Sequence, residues 1–499
     1  MQQISKSTFL HYQICPRDTW LRIHRADLAD TFAPTDFDLR LMEHGNEVES
    51  QARSLFADGV AIVSNGEIAL KETDELVAAR KCPIFQATFL VDGFFAKCDV
   101  LAPGKDADTW DLFEVKGTNS RKEGNEDRDH ISDLAFQKHV LTTAGIKVGR
   151  ALIIHLNKDY VRKGELDIKA LFTVADSTEL VEKQIAEITE QMKAAQEYLS
   201  QVNEPGQGCV CHLSGRSRHC RTFSHSHPDV PEYSVHDLTR IGNSKKKLKE
   251  LVDAKIYDIA KIPDGFKLSD AQSLQVNVHK TGKPFVNREA ILTELDRYTF
   301  PLYFLDYETY APAIPAFDGY SPYRRIPFQF SLHVLAGEKE KPDHIEFLHM
   351  ERGDPTPGLV ALLSKHVGNR GSVVAWHAGF ERDVNSEIGL RIGGAGREFM
   401  ESLNSRMVDL EEIFLKRHYV DPGFRGRTSI KKVLPVLVPE FSYEDLEIQD
   451  GTMASERWWA MTSPDTSEPE RGAIAKSLRS YCGQDSYAMY AIWQKLRAA

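Results

Sequence analysis

Residues 85–103, FQATFLVDGFFAKCDVLAP, decide how the amino-terminal half of the chain folds. Apolar side chains alternate on both sides of Asp92-Gly93, a dipeptide that closes tight hairpins. The segments that follow predict a strand at TWDLFEVKG (109–117), a helix at DLAFQKHVLTTAG (133–145) and a strand at VGRALIIHLN (148–157). A hairpin followed by strand, helix and strand is the order of an α/β core.

The rest of the chain divides around this core. The region before residue 80 has helical patterns, and residues 175–202 predict a long amphipathic helix. A second α/β unit opens after Pro301 with the strand LYFLDYE, and it ends in a strongly periodic helix. We therefore predict domains at 1–225 and 300–499, with a helical connector at 226–299.

Composition limits the classes of protein that need consideration. The chain has 499 residues, a net charge of −11 and 41% hydrophobic residues, which suits two or three globular domains. It contains no apolar run of the roughly 20 residues that a membrane helix needs, and its start lacks a signal-peptide layout. We therefore expect a cytoplasmic protein without a membrane partner. The negative charge leaves nucleic acid possible as a partner, through local basic patches.

A first group of candidate catalytic residues follows the hairpin. Asp99 ends one strand, and Glu114-Val115-Lys116 lies fifteen residues later in the next strand. Side chains alternate along a strand, so Glu114 and Lys116 face the same side. Two neighbouring strands can bring Asp99 and Glu114 onto one divalent ion, since magnesium prefers oxygen ligands. Lys116 can then stabilise the charge that develops on a phosphate. An acid-x-lysine triplet by itself is common, so the prediction depends on the whole set.

This set resembles a known family. STFLHYQICPRDTWL, HGNEVE, CDV, FEVKG and FQKHV together resemble the RecB-type PD-(D/E)XK nucleases, over about residues 1–225. The resemblance is strongest to the iron–sulfur subgroup found in CRISPR adaptation and recombination nucleases. It implies a restriction-endonuclease-like core in which Asp99, Glu114 and Lys116 form the active site. It also adds Glu49 on an early helix and Gln137 on the core helix.

The cysteines point to a second kind of metal site. Three of the seven cysteines, Cys209, Cys211 and Cys220, fall within twelve residues, and clustered cysteines in a cytoplasmic chain indicate metal. In the family that this chain resembles, one early cysteine joins three late ones around a [4Fe–4S] cluster, which implies Cys15 as the fourth ligand here. The alternative is zinc, held by two or three of these cysteines with nearby histidines. The candidate histidines are His212, His219, His225 and His227.

A second group of acidic residues lies in the carboxy-terminal half. FLDYET places Asp306 and Glu308 on one face of a strand, and YCGQD places Tyr481 and Asp485 on one face of a helix. AWHAGFERD adds Glu381, with Asp383 as the alternative. Two-metal hydrolysis of phosphodiesters needs several carboxylates around cations, and a tyrosine can orient the attacking water.

This second set resembles the DEDD exonucleases of the ribonuclease H-like fold, in their Tyr-x3-Asp variant. The resemblance covers about residues 300–499 and is strongest to an uncharacterised bacterial domain family that is often fused to a RecB-type nuclease. Glu381 stands where that family usually has aspartate, and His377 stands where it has asparagine. The resemblance implies that Asp306, Glu308 and Asp485 hold magnesium or manganese.

These observations together predict an α/β protein with a restriction-endonuclease-like core and a ribonuclease H-like domain. The expected activity is metal-dependent hydrolysis of DNA, exonucleolytic on single strands or ends. For the second site, RNA is an alternative substrate. In one alternative, one of the two domains is a catalytically dead scaffold that binds nucleic acid, and the carboxy-terminal domain is the first candidate for that role. In another, the acids are ordinary surface residues of a structural or small-molecule-binding protein. No nucleotide-motor or serine-hydrolase motif is present in the sequence.

Overall fold

The structure is a computed structural model that describes residues 3–122, 129–441, 443 and 446–498. The chain forms two compact units, and each consists of two segments. Unit 1 comprises Met1–Pro228 and Pro312–Tyr323, and unit 2 comprises Asp229–Ala311 and Arg324–Ala499. The sequence predicts a separate connector at 226–299, and residues 229–299 of it group with unit 2.

Unit 1 is built on a mixed sheet. Its strands are β1 (Ile4–Ser5), β2 (Val60–Ala61), β3 (Ile84–Val91), β4 (Phe94–Pro103), β5 (Trp110–Lys116), β6 (Val148–Leu156) and β7 (Phe172–Asp176). Its helices are α1 (Lys6–Ile14), α2 (Pro16–His24), α3 (Asp36–Arg53), α4 (Gly66–Ala79), α5 (His130–Thr143), α6 (Ile168–Leu171), α7 (Thr178–Leu199) and α8 (Phe223–Ser226). The strand order is β2-β3-β4-β5-β6-β7, and β1 pairs in parallel with β4.

The predicted hairpin is confirmed as β3 and β4. Asp92 and Gly93 both have positive φ, 50° and 83°, as a tight turn of the type that matches strand twist requires. Strand β5 runs antiparallel to β4 and parallel to β6, and α5 supplies the crossover between β5 and β6. Helix α5 is buried along most of its length, and its Phe136 stacks on Phe9 of α1 with ring centroids 5.2 Å apart.

Residues 312–323 complete the core of unit 1 although they lie far along the chain. Ala313 and Ile314 are buried in the same apolar cluster as Leu156 and Phe172. The Arg162 backbone N–H donates to the Tyr320 carbonyl at 3.0 Å, and its guanidinium donates to two further carbonyls of the segment. Apolar burial and backbone hydrogen bonds therefore both hold this segment in unit 1.

Unit 2 contains the second sheet. Its strands are β8 (Phe285–Val286), β9 (Leu302–Tyr310), β10 (Ile326–Leu335), β11 (Asp343–Leu348), β12 (Ser372–Ala375), β13 (Met407–Asp409) and β14 (Tyr419–Val420). Its helices are α9 (Lys245–Asp253), α10 (Asp270–Thr281), α11 (Arg288–Leu295), α12 (Thr356–His366), α13 (Gly379–Ile392), α14 (Gly394–Ser405), α15 (Glu412–Leu415), α16 (Ile430–Leu437), α17 (Gly451–Met461) and α18 (Glu468–Ala498).

The main sheet of unit 2 has the order β11-β10-β9-β12-β13. The pairs β9–β10 and β10–β11 are antiparallel, whereas β9–β12 and β12–β13 are parallel. Strand β9 therefore lies at the centre, where both of its faces are covered and nearly all of its side chains are buried. The strand predicted at the start of this unit and the long last helix are confirmed as β9 and α18.

Both units are mixed α/β structures, in agreement with the predicted class. Among the described residues, no helix combines the length and the apolar character needed to cross a membrane.

Candidate functional sites

The sheet of unit 1 brings the first predicted pair together. Val100 on β4 pairs with Phe113 on β5, so Asp99 and Glu114 lie next to each other across the two strands. The Val115 backbone N–H donates to Asp99 Oδ2 at 2.8 Å, which fixes the carboxylate against the neighbouring strand. The hairpin turn and the register of β4 and β5 thus decide the position of both acids.

Glu114 is the centre of a hydrogen-bonded network in unit 1. It is only 2% exposed, and its Oε1 accepts from Lys116 Nζ and from Lys6 Nζ, each at 2.7 Å. Its Oε2 accepts from Gln137 Nε2 at 2.7 Å. Asp133 joins the same network, since Gln137 Nε2 donates to its Oδ1 at 2.9 Å and both lysines form ion pairs with it.

Two members of this network, Lys6 and Asp133, are absent from the sequence prediction. Asp133 precedes Gln137 by four residues on α5, so helical spacing alone puts them on one face and could have identified Asp133. Lys6 begins α1, directly after β1 pairs with β4. No local pattern distinguishes Lys6 from other lysines, because its role depends on this pairing.

The charges of this network have opposite effects on its two strand acids. Burial would raise the pKa of Glu114, but the attraction of Lys116 and Lys6 outweighs it and holds that pKa well below the usual range. Burial and the repulsion of Glu114 raise the pKa of Asp99 to about 8. Burial lowers the pKa of both lysines, yet Asp133 and Glu114 attract them strongly enough to raise it overall. Without a bound cation, protonation of Asp99 therefore neutralises part of the excess negative charge of this network.

Glu49 lies on α3 at the edge of this group. Its Oε1 accepts from the Arg53 guanidinium at 2.6 Å and from the Gln86 amide. Gln86 has a φ of 60° within β3, an unusual conformation for a strand residue. The negative charge of Glu49 contributes to the raised pKa of Asp99, so the structure brings the early-helix acid close to the strand acids.

Unit 2 gathers the second predicted set around the central strand β9. Asp306 and Glu308 stand on one face of β9, and Asp485 and Tyr481 come from α18. Donor atoms of Asp306, Glu308 and Cys482 all lie within 4.8 Å of one another, so these residues could hold a metal ion. The Cys482 thiol lies 3.4 Å from Asp306 Oδ2.

Glu381 reaches the same group from the first turn of α13, directly after β12. It is only 4% exposed, and its Oε2 has no hydrogen-bond partner among the described residues. Its charge contributes to the raised pKa values of both Asp306 and Glu308. Asp383 is instead exposed on the opposite side of α13, so the structure selects Glu381 from the two acids considered in this motif.

Burial raises the pKa of all four acids of unit 2. Burial is the largest cause for each of them, followed by mutual repulsion for Asp306 and Glu308, whose pKa values rise well above the usual range. Burial raises the pKa of Asp485 to about 6 and that of Glu381 to about 8. Several carboxylates in so little water are costly when all are ionised, and a bound cation relieves that cost.

Lys431 and Tyr443 complete this group and were not predicted. The Tyr443 hydroxyl donates to Asp485 Oδ1 at 2.5 Å. Lys431 Nζ lies 3.2 Å from the Tyr481 hydroxyl and above both tyrosine rings. Asp409 has a supporting role, since its carboxylate accepts from the backbone N–H groups of the turn that leads into α13.

The four predicted cysteines converge in unit 1. The Sγ atoms of Cys15, Cys209 and Cys220 lie within 4.8 Å of one another, and Cys211 Sγ is 3.1 Å from Cys209 Sγ and 3.6 Å from Cys220 Sγ. Cys15 stands between α1 and α2, whereas the other three follow α7. The four thiols therefore form a group that could hold a metal.

The candidate histidines surround these thiols unequally. His227 Nε2 lies 3.3 Å from Cys209 Sγ. His212 Nδ1 lies 2.8 Å from the Cys209 carbonyl, and His219 Nε2 lies 3.1 Å from the Ser214 carbonyl. His225 contacts Glu204 at 3.4 Å. Sulfur atoms thus dominate the donor set, with His227 as the histidine beside a thiol.

Comparison with known proteins gives a partial match. The family described as "Domain of unknown function (DUF2779)" matches residues 303–429, a range that includes Asp306, Glu308 and Glu381. The "Uncharacterized protein MG366 homolog" of Mycoplasma pneumoniae is 26% identical over 205 residues, which cover 38% of this chain. The chain spans 31% of the length of that relative. No solved structure matches the chain.

Proposed function

We propose that this protein is a divalent-metal-dependent nuclease with one carboxylate site in each unit. The observation that carries the proposal is the convergence of Asp306, Glu308, Glu381 and Asp485 on one buried spot, from β9, α13 and α18. Mutual repulsion among buried carboxylates lowers the stability of the fold, and clusters of this kind mark functional sites. Oxygen donors of this number suit magnesium or manganese.

The strand topology supports an assignment to fold families. In unit 2, an antiparallel trio flanked by two parallel strands, in the order β11-β10-β9-β12-β13, is the arrangement that we expect of a ribonuclease H-like domain. In unit 1, the β3–β4 hairpin, β5, α5 and β6 follow the order expected of a restriction-endonuclease-like core. In each unit two of the candidate acids lie on strands inside the sheet, Asp99 and Glu114 on β4 and β5 and Asp306 and Glu308 on β9.

In unit 2, the chain's own groups can bind and orient a phosphodiester and a water. Asp306, Glu308, Glu381 and Asp485 would hold one or two divalent cations, which supply Lewis acidity for the attacking water and the leaving oxygen. The Tyr481 hydroxyl, held by Lys431, can accept and orient that water. Tyr443 fixes one oxygen of Asp485, and Tyr481 also hydrogen-bonds to this carboxylate.

In unit 1, a cation would be held by Asp99 and Glu114, two oxygen donors that already lie side by side. Lys116 then provides positive charge for the phosphate oxygens. Gln137 holds Glu114 Oε2 in place, and Asp133 orients the Lys116 ammonium. Glu49 adds a further carboxylate near Asp99. We propose DNA as the substrate, with cleavage from ends or on single strands, and DNA or RNA for unit 2.

The cysteine group is proposed to bind a [4Fe–4S] cluster. Its four thiols meet the all-sulfur donor requirement of such a cluster, and they join the α1–α2 junction to the segment after α7. The position of His227 beside Cys209 keeps zinc as the second candidate. Either metal would connect two distant parts of unit 1.

The test is degradation of end-labelled single- and double-stranded DNA and RNA with magnesium or manganese. Wild type is compared with Lys116→Ala, Asp306→Ala and the double variant. Loss of cleavage in one single variant identifies the working unit and leaves the other as a scaffold that binds nucleic acid. If Lys116→Ala and Asp306→Ala each lose cleavage of a different substrate, the result supports two active sites. Cleavage by the double variant at the wild-type rate would contradict both sites.

A further inference from the structure

Unit 1 contains a cavity of about 340 Å³ directly beside its candidate active site. Helices α1 and α3 form its walls, and the end of β5 and the start of α5 form its floor. The floor includes Lys116 and Asp133, which belong to the network around Glu114. A ligand in this cavity would therefore adjoin the reacting phosphate.

Aliphatic side chains dominate the walls. Leu10 and Ile14 are four apart on α1, and Leu41 lies on α3. Ile14 is 47% exposed and Leu41 is 41% exposed, so the apolar surface is open to a ligand. Burial of such surface by a flat apolar ring is favourable.

Tyr323 supplies an aromatic wall from the second segment of unit 1. Its hydroxyl donates to the Gly117 carbonyl, and its backbone N–H donates to the Pro312 carbonyl at 2.9 Å. Its φ of 58° is rare for a bulky residue, and the hydroxyl hydrogen bond holds the ring towards Gly117. A rigidly held aromatic ring is a stacking surface for a nucleobase.

The charges of the cavity favour a base over a phosphate. Among the described residues that line it, Lys116 is the only lysine or arginine, and it is already paired with Glu114 and Asp133. Asp129 and Asp133 would repel a phosphate placed inside. Gln13, whose Nε2 donates to Gln191 Oε1 at 2.7 Å, can accept from a base edge through its amide oxygen.

We infer that this cavity binds the nucleobase adjoining the scissile phosphate of a nucleic-acid strand. The inference rests on the proposed nuclease function and adds a subsite to it. The volume is at the lower end of the roughly 300–1,000 Å³ of small-ligand pockets and suits one nucleoside. A base can enter only when it is unpaired, so the subsite favours single strands and frayed ends.

Gly45 provides the variant that tests this inference. It lines the cavity from within α3, and a Cβ built on it meets no atom within 4 Å. The Cβ of Gly45→Leu therefore has open space, the rest of the leucine side chain would occupy the cavity, and the change should strengthen the helix rather than weaken it. Gly472 on α18 also has open space around an added Cβ, so Gly472→Leu is the matched control.

The experiment measures binding of a fluorescent single-stranded DNA oligonucleotide to the full chain in EDTA, by anisotropy. A second oligonucleotide of equal length carries abasic sites. We expect wild type to prefer the natural strand by about tenfold, in line with the stacking of one base. Gly45→Leu should lose this preference and keep its affinity for the abasic strand, Gly45→Ala should lose less of it, and Gly472→Leu should match wild type.

Three results would overturn the inference. The first is equal affinity of wild type for the natural and the abasic strand, and the second is an unchanged preference for the natural strand in Gly45→Leu. The third is displacement of the bound strand by deoxynucleoside monophosphates at concentrations as low as those at which a competing oligonucleotide displaces it. Because no metal is present, binding is separate from cleavage. A base preference without any degradation in either magnesium or manganese would reject the nuclease proposal alone. Degradation with an unchanged base preference in Gly45→Leu would reject the subsite alone.

Discussion

Lys6 Nζ lies 2.7 Å from Glu114 Oε1, although 108 residues separate the two along the chain. Lys116 donates to the same oxygen at the same distance. Two ammonium groups therefore balance the charge of Glu114 and Asp133, which are both almost fully buried. This balance connects the first helix of unit 1 to its candidate catalytic strand.

Lys6→Ala should destabilise the metal-free protein. It leaves two buried carboxylates with less compensation, which we expect to cost about 2 kcal/mol of unfolding free energy. Magnesium should recover part of this loss, because a cation beside Glu114 would replace the missing charge. Denaturant unfolding in EDTA and in magnesium measures both effects. Lys71→Ala, which removes a largely exposed ammonium on α4, serves as the control and should change neither value. A Lys6→Ala loss that is identical in both conditions would argue against a cation at Glu114.

Glu381→Gln should stabilise unit 2 in EDTA and weaken its response to magnesium. Glu381 has a pKa of about 8 in the folded chain, so it must take up a proton on folding at neutral pH, whereas glutamine needs none. Its replacement should therefore gain about 1 kcal/mol. In wild type, magnesium at a hundredfold excess over its dissociation constant should add about 2.7 kcal/mol. Thermal unfolding in EDTA and in a magnesium series measures both quantities. The matched control is Asp383→Asn, two residues away on the exposed side of α13. Equal magnesium responses in Glu381→Gln and wild type would exclude Glu381 as a ligand.

Cys220→Ser should remove the metal bound by unit 1 and lower its thermal stability. Cys220 Sγ lies in the group with Cys15 and Cys209, so its loss opens the donor set. Protein purified without oxygen is analysed for iron, sulfide and zinc and for broad visible absorption. Cys82→Ser, outside this group, should retain wild-type metal content. Colourless wild-type protein with stoichiometric zinc would replace the iron–sulfur assignment with zinc, and protein free of both metals would reject the site.

His333 should make unit 2 sensitive to acid. Burial and the nearby His344 lower the pKa of His333 to about 3, and its ring bonds to the Ser486 hydroxyl at 2.8 Å. In the unfolded chain its pKa is about 6.5, so the unfolded state binds the proton first. Stability should therefore be unaffected above pH 6.5 and fall as pH drops from 6.5 towards 3, by up to about 1.4 kcal/mol per pH unit.

His333→Gln should flatten this acid dependence, because glutamine takes up no proton. Urea unfolding of the full chain between pH 4.5 and 7.5 measures the slope. The same change at His366, a half-buried residue at the end of α12, provides the comparison and should leave the slope intact. A His333→Gln slope equal to that of wild type would show that other groups cause the acid sensitivity.

Much of the local structure can be read from short-range patterns. The β3–β4 hairpin follows from alternating apolar residues around Asp92-Gly93, because that dipeptide tolerates the positive φ of the turn. The common face of Asp306 and Glu308 follows from the period of a strand, and that of Tyr481 and Asp485 from the period of a helix. The sequence names Glu381 with Asp383 as the alternative, and packing separates the two acids, because it buries Glu381 and leaves Asp383 exposed.

Sequence alone determined which residues can share a face, because strand and helix periods and turn chemistry act over a few neighbouring residues. Tertiary structure alone decided that Lys6 reaches Glu114, that Tyr443 reaches Asp485, and that residues 312–323 complete the core of unit 1. The physical reason is that these contacts depend on sheet pairing and on burial of apolar surface between distant segments. No local pattern carries that information.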